Sequence, residues 1–129
     1  MAVAAIDQVE DGAYRASVRD DTAAIARWLL DHLGQRITTA GLGLRDASVT
    51  RRYARGKVHP PEEREARLRL LYRVARTVAD AYDAETARAF LTGSNPQLSD
   101  RSPLLVIADD PTDRAAPEVI GAARALLHG

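Results

Sequence analysis

Ile37-Thr-Thr-Ala-Gly-Leu-Gly-Leu-Arg-Asp-Ala-Ser-Val-Thr-Arg-Arg-Tyr-Ala-Arg-Gly-Lys57 is the stretch on which the fold turns. A short helical segment over residues 35–42 runs into the tight Gly41-Leu42-Gly43-Leu44 turn. A second helix spans roughly 46–55, opened by Asp46 or Arg45 and closed by Gly56 just past its end. Two short helices about a glycine turn make a helix-turn-helix pattern. Val49 and Tyr53 fall on the side of the second helix that faces a core. Arg45, Ser48, Thr50, Arg51 and Arg52 are then the candidate groove contacts, with Arg55 and Lys57 near phosphates. Arginine suits both tasks, because its fork matches guanine edges and its charge releases counterions. The plainer alternative is an amphipathic helix with a solvated basic face.

Working outward, residues 1–19 show no clean periodicity and are expected to form a flexible, partly helical arm. Asp20-Asp21 opens a helix through Ile25, Ala26, Leu29, Leu30 and Leu33, with Gly34 at its stop. On the other side, His59-Pro60-Pro61 breaks the chain. The longest helix follows, from about Pro61 to Ala81, with Glu62, Glu63 and Glu65 in its first turn. Leu68, Leu71, Tyr72, Ala75, Val78, Ala79 and Tyr82 form its stripe, which Leu70 and Val74 widen. Asp83 caps a helix holding Ala87, Phe90 and Leu91 that ends at Gly93; Ser102-Pro103 starts a short one through Ile107. Asp109–Pro111 interrupts, and a last helix carries Val119, Ile120, Ala123, Leu126 and Leu127. No strand pattern competes. The expected class is all-α: an arm over 1–19, a helix-turn-helix-like part over 20–60, and a small helical domain over 61–129.

Composition narrows the function classes. The 129 residues are one domain's worth of chain, and 46% apolar residues suffice for a core. No apolar run approaches the roughly 18 residues needed to span a bilayer, and the first residues lack a secretory pattern, so a cytoplasmic protein is expected. Without cysteine there is no disulfide, thiol nucleophile or Cys-ligated metal. His32, His59 and His128 lie far apart, and Asp109, Asp110 and Asp113 lack the alternating donors of a calcium loop. Gly41-Leu42-Gly43 follows no strand and leads to no Lys-Ser/Thr, so it is a turn rather than a phosphate loop. No catalytic residue, metal or cofactor is expected, and the chain reads as a non-enzyme. Net charge is zero overall, yet residues 44–76 hold ten bases against four acids, while residues 77–129 hold eight acids against four bases. A basic middle between acidic flanks is an anion-binding pattern.

The tail carries a second signal. Phe90-Leu91, Asn95, Leu98 and Pro103-Leu104, then Asp109-Asp110 and the terminal Leu126-Leu127-His128-Gly129, stand in a fixed order. This run resembles the Xre/MbcA/ParS antitoxin family, the partners of RES-domain toxins. Phe90 replaces a frequent tryptophan, and Ser99-Asp100-Arg101 replaces a turn that usually contains glycine. Upstream, Val49-Thr50-Arg51-Arg52-Tyr53-Ala54-Arg55-Gly56 is similar to the helix-turn-helix portion of those proteins, with Tyr53 where tryptophan is common. The resemblance covers about residues 22–129.

The resemblance implies an antitoxin that binds and blocks an NAD⁺-consuming RES toxin and represses its own operon. Toxin contact would fall to the tail, at Asn95, Pro96, Leu98, Arg124, Leu127, His128 and Gly129, with the extreme C-terminus reaching into the toxin's cleft. The expected partners are the RES-domain toxin encoded by the adjacent gene and operator DNA, in a homo-oligomer or a hetero-oligomer with the toxin. The alternative is a stand-alone helix-turn-helix regulator that dimerises through its C-terminal helices.

Overall fold

A computed structural model describes residues 3–129, and among these the chain forms helices with no strand. The long central helix α5 (Glu62–Ala81) organises the rest. Around it lie α1 (Val3–Arg19), α2 (Thr22–Leu33), α3 (Gln35–Gly41), α4 (Ala47–Ala54), α6 (Ala84–Thr92), α7 (Pro103–Asp109) and α8 (Thr112–His128). A 3-10 turn, Pro96–Leu98, stands between α6 and α7. The unusual width of the α5 stripe has a simple cause. Leu68, Leu70, Leu71, Tyr72, Val74, Ala75, Thr77 and Val78 are all buried, because α1, α2, α6, α7 and α8 pack on it from several sides. Each such leucine contributes on the order of 1.5–3 kcal/mol by leaving water.

The caps fall where the short polar residues stand. Asp21, Asp46, Asp83 and Ser102 each accept a hydrogen bond from a first-turn amide of the helix they precede. Gly56 takes a left-handed φ of 69° and closes α4, with its N–H on Tyr53 O and that of Lys57 on Arg52 O. Phe90 and Leu104, which the sequence places in the core, are half-buried and pack against its edge.

The flexible arm expected over residues 1–19 is corrected: residues 3–19 form α1, while residues 1 and 2 lie outside the described residues. Ile6, Ala13, Ala16 and Ser17 are buried against α5. The Arg69 guanidinium donates 2.9 Å bonds to the carbonyls of Ser17 and Asp20, which ties down the end of α1. The seam is built mostly from small side chains, so hydrophobicity gives it little contrast.

Two links join the halves of the chain. Leu42, Tyr53 and Ala54 belong to the same buried cluster as α5, α7 and α8, so residues 20–60 and 61–129 share one core. At Gly41, an added Cβ would stand 2.8 Å from Leu104 Cδ1 and 3.0 Å from Leu71 Cδ2, so α3 meets α5 and α7 through a missing side chain. Arg67, largely buried, donates from Nη1 to the carbonyls of Ile107 (2.6 Å), Ala108 (2.9 Å) and Asp110 (2.9 Å). It thereby satisfies the end of α7, where carbonyls would otherwise lack partners. Among the described residues no helix is long and apolar enough to cross a membrane.

Candidate nucleic-acid interface

α3 and α4 are held at a fixed angle by backbone turns and one buried polar contact. The amides of Leu42, Gly43 and Leu44 return to the carbonyls of Thr38, Ala40 and Thr39, and Gly43 sits at φ 72°. The hydroxyls of Thr39 and Thr50 then meet at 3.0 Å. Asp46 opens α4 by accepting from the Ser48 amide at 2.9 Å, and its bonds from Ser48 hold its carboxyl below the ordinary value. At the other end of α4, Arg27 donates to Ala54 O at 2.9 Å, fastening the helix to α2.

This frame decides which side of α4 is free. Thr50, Tyr53 and Ala54 are buried, and Val49 packs against the core. The opposite side runs Ser48, Arg51, Arg52 and Arg55, which is the i, i+3, i+4, i+7 spacing of one helix face. Arg45 precedes it by one turn and Lys57 follows it, both exposed. Thr50 is therefore corrected as a groove contact: its relative exposure is 0% and its hydroxyl is committed to Thr39. It falls between the arginines in sequence but turns inward, as Tyr53 does three residues on.

Most arginines elsewhere are engaged: Arg67 and Arg69 on backbone carbonyls and glutamates, Arg76 on Asp80 and Tyr72, Arg101 on Asp110, Arg124 on Glu10, while Arg114 of α8 has no such partner among the described residues. Among the described residues, Arg36, Arg45, Arg52, Arg55 and Lys57 have no carboxylate within ion-pair distance and no hydrogen bond from their side chains. Arg51 has only the neutral Gln35, at 2.8 Å. Guanidinium groups without ion pairs on one face suit a polyanion. Sequence reasoning missed Arg36 and Gln35 here. Nothing in their spacing marks them; only the folding of α3 beside α4 does.

The tail residues are used differently. Asn95 Oδ1 accepts from the Gln97 amide at 2.9 Å, and its carbonyl takes both the Leu98 and Asp100 amides at 2.9 Å. Ser99 and Asp100 lie in the left-handed region at φ 56° and 67°. Arg101 clasps Asp110 with two 3.0 Å bonds, which hold that carboxyl below its usual range. The Asn-to-Pro-Leu spacing is thus the wiring of one corner. Leu98 and Leu127 are corrected as partner contacts, since both are buried in this chain's own interior at 5% and 3% exposure. Pro96, Arg124, His128 and Gly129 are exposed, with Arg124 paired to Glu10 at 3.2 Å, and Asn95 is half-buried. α8 continues to His128, with Gly129 at its C-cap.

Among the described residues, no group of three or more His, Cys, Asp or Glu side chains lies close enough to hold a metal ion. No family model, curated protein or solved structure matches this chain.

Proposed function

We propose that this protein is a DNA-binding antitoxin that holds operator DNA with the exposed face of α4 and neutralises a RES-domain toxin with its C-terminal half. The observation that carries the DNA part is the stripe of Arg45, Ser48, Arg51, Arg52 and Arg55, in which no guanidinium is ion-paired, on a surface where most other arginines are engaged. The toxin part rests on the tail's resemblance, whose Asn95, Leu98 and Pro103 build a rigid corner beside α8. Toxin contact then falls to exposed groups near that corner and at the end of α8, namely Pro96, Arg124, His128 and Gly129.

The stand-alone regulator needs a free apolar face on the last helices. Val119, Ala122, Ala123 and Leu127 of α8 are spent in the core, which leaves Leu105 of α7 as an exposed large apolar side chain of these helices. Co-expression of the tagged protein with the product of the adjacent reading frame, with NAD⁺ followed in the lysate, tests the toxin half. A stable complex with NAD⁺ preserved is expected, and no complex with no effect on NAD⁺ overturns it. For the DNA half, Arg51→Ala/Arg52→Ala should abolish binding to the DNA upstream of the gene. Unchanged binding would show that α4 is not the reading element.

A further inference from the structure

We infer that Arg51 is the base-reading residue of the α4 face, that its target is a guanine in the major groove, and that Gln35 is the positioning residue that aims it. The inference rests on the DNA-binding reading above. Arg51 Nη1 donates to Gln35 Oε1 at 2.8 Å, and both side chains are exposed. A carboxamide tether fixes the direction of a guanidinium without cancelling its charge. The contrast is Arg101, whose two terminal nitrogens both bond the Asp110 carboxylate at 3.0 Å, so that its charge is neutralised. Arg51 commits one of its five N–H donors and keeps the others, so a parallel pair remains for the O6 and N7 acceptors of guanine.

Order is the second part of the argument. A long side chain loses rotamer freedom when it docks, and one already held has lost some of it beforehand. Base recognition needs direction, whereas a phosphate is met by charge over a range of directions. Arg45, Arg52, Arg55 and Lys57 have no comparable tether among the described residues, and their chemistry fits phosphates. Gln35 is the first residue of α3, so the tether crosses from α3 to α4, as the Thr39–Thr50 bond does. The angle between the helices and the aim of Arg51 are therefore set together.

Affinity would be measured for the duplex upstream of the gene and for a shuffled duplex of equal length, over a range of salt. Gln35→Ala should lower the ratio of the two affinities on the order of tenfold, concentrated at one guanine position. Its binding to the shuffled duplex and its salt slope should stay as in the wild type. Arg51→Ala should lose the same ratio and reduce the salt slope by about one unit. Gln35→Glu should lose both, because the carboxylate neutralises the reader, with an unchanged melting temperature excluding a folding defect. Retained discrimination in Gln35→Ala overturns this inference alone. A wild type that binds neither duplex overturns it together with the DNA half of the proposed function.

Discussion

Thr39 of α3 and Thr50 of α4 share a hydroxyl contact of 3.0 Å in a site closed to solvent. The pair is the polar pin of the two helices, and valine matches threonine in shape while lacking the hydroxyl. Thr50→Val should lower the unfolding free energy by about 1–3 kcal/mol, because the Thr39 hydroxyl is left buried without its partner. The double change Thr39→Val/Thr50→Val should cost less than the sum of the single changes. Urea denaturation of the four proteins measures the coupling, and strict additivity would show that the two hydroxyls act separately.

Arg67 holds three carbonyls at the end of α7, from 40 to 43 positions further along the chain. Arg67→Met keeps the stem and removes the donors, and should cost about 2–3 kcal/mol. The loss should be local first: α7 amides such as Val106 and Ile107 should gain hydrogen exchange before those of α5 do. Equal acceleration in both helices would argue against the cap.

Ser99 and Asp100 occupy left-handed backbone that side chains adopt at a cost. Ser99→Gly should therefore stabilise the protein by about 0.5–1 kcal/mol, despite the extra freedom glycine brings to the unfolded chain. A rise in the thermal midpoint is the expected reading. A fall would mean that the serine side chain makes a contribution larger than the strain.

Acid stability should depend on Asp20. The Tyr72 hydroxyl donates to Asp20 Oδ2 at 2.7 Å and, with Arg19 and Arg76, holds the carboxyl below its ordinary 3.8 against the opposing effect of burial. A depressed folded value means that this stabilisation is fully present above about pH 4 and is lost as the pH falls through and below 3.8. Tyr72→Phe removes the largest cause. In that variant the Asp20 carbonyl-carbon titration followed by NMR should move up towards 3.8, and the acid limb of the stability curve should become shallower. An unmoved titration would assign the depression to the arginines.

Much of the architecture is written in residues whose local chemistry has few alternatives. Asp21, Asp83 and Ser102 cap their helices, Gly56 ends α4, and the double-width stripe of α5 announces a central helix. α1 was illegible because Ala13, Ala16 and Ser17 bury little apolar surface, and their value depends on how closely α5 approaches. For the candidate site, helical spacing predicts the free stripe of Arg51, Arg52 and Arg55 but misassigns Thr50, whose inward turn follows from where α3 lies. The tail motif misassigns Leu98 and Leu127 for a related reason. A motif marks which residues matter without saying whether they face a partner or their own interior, and here the interior holds them.

The empty place at Gly41 bears on how such a chain can be inherited. The break at His59-Pro60-Pro61 looks like a natural joint for recombination, since few local hydrogen bonds cross it. Yet Leu71 and Leu104 fill the space that a side chain at residue 41 would take. A chimera joined at residue 60 would keep the joint and lose the fit, unless the incoming half had leucines shaped for the same gap. The front and back of the molecule are thus expected to descend as a linked pair, with the glycine on one side and the two leucines on the other changing in step.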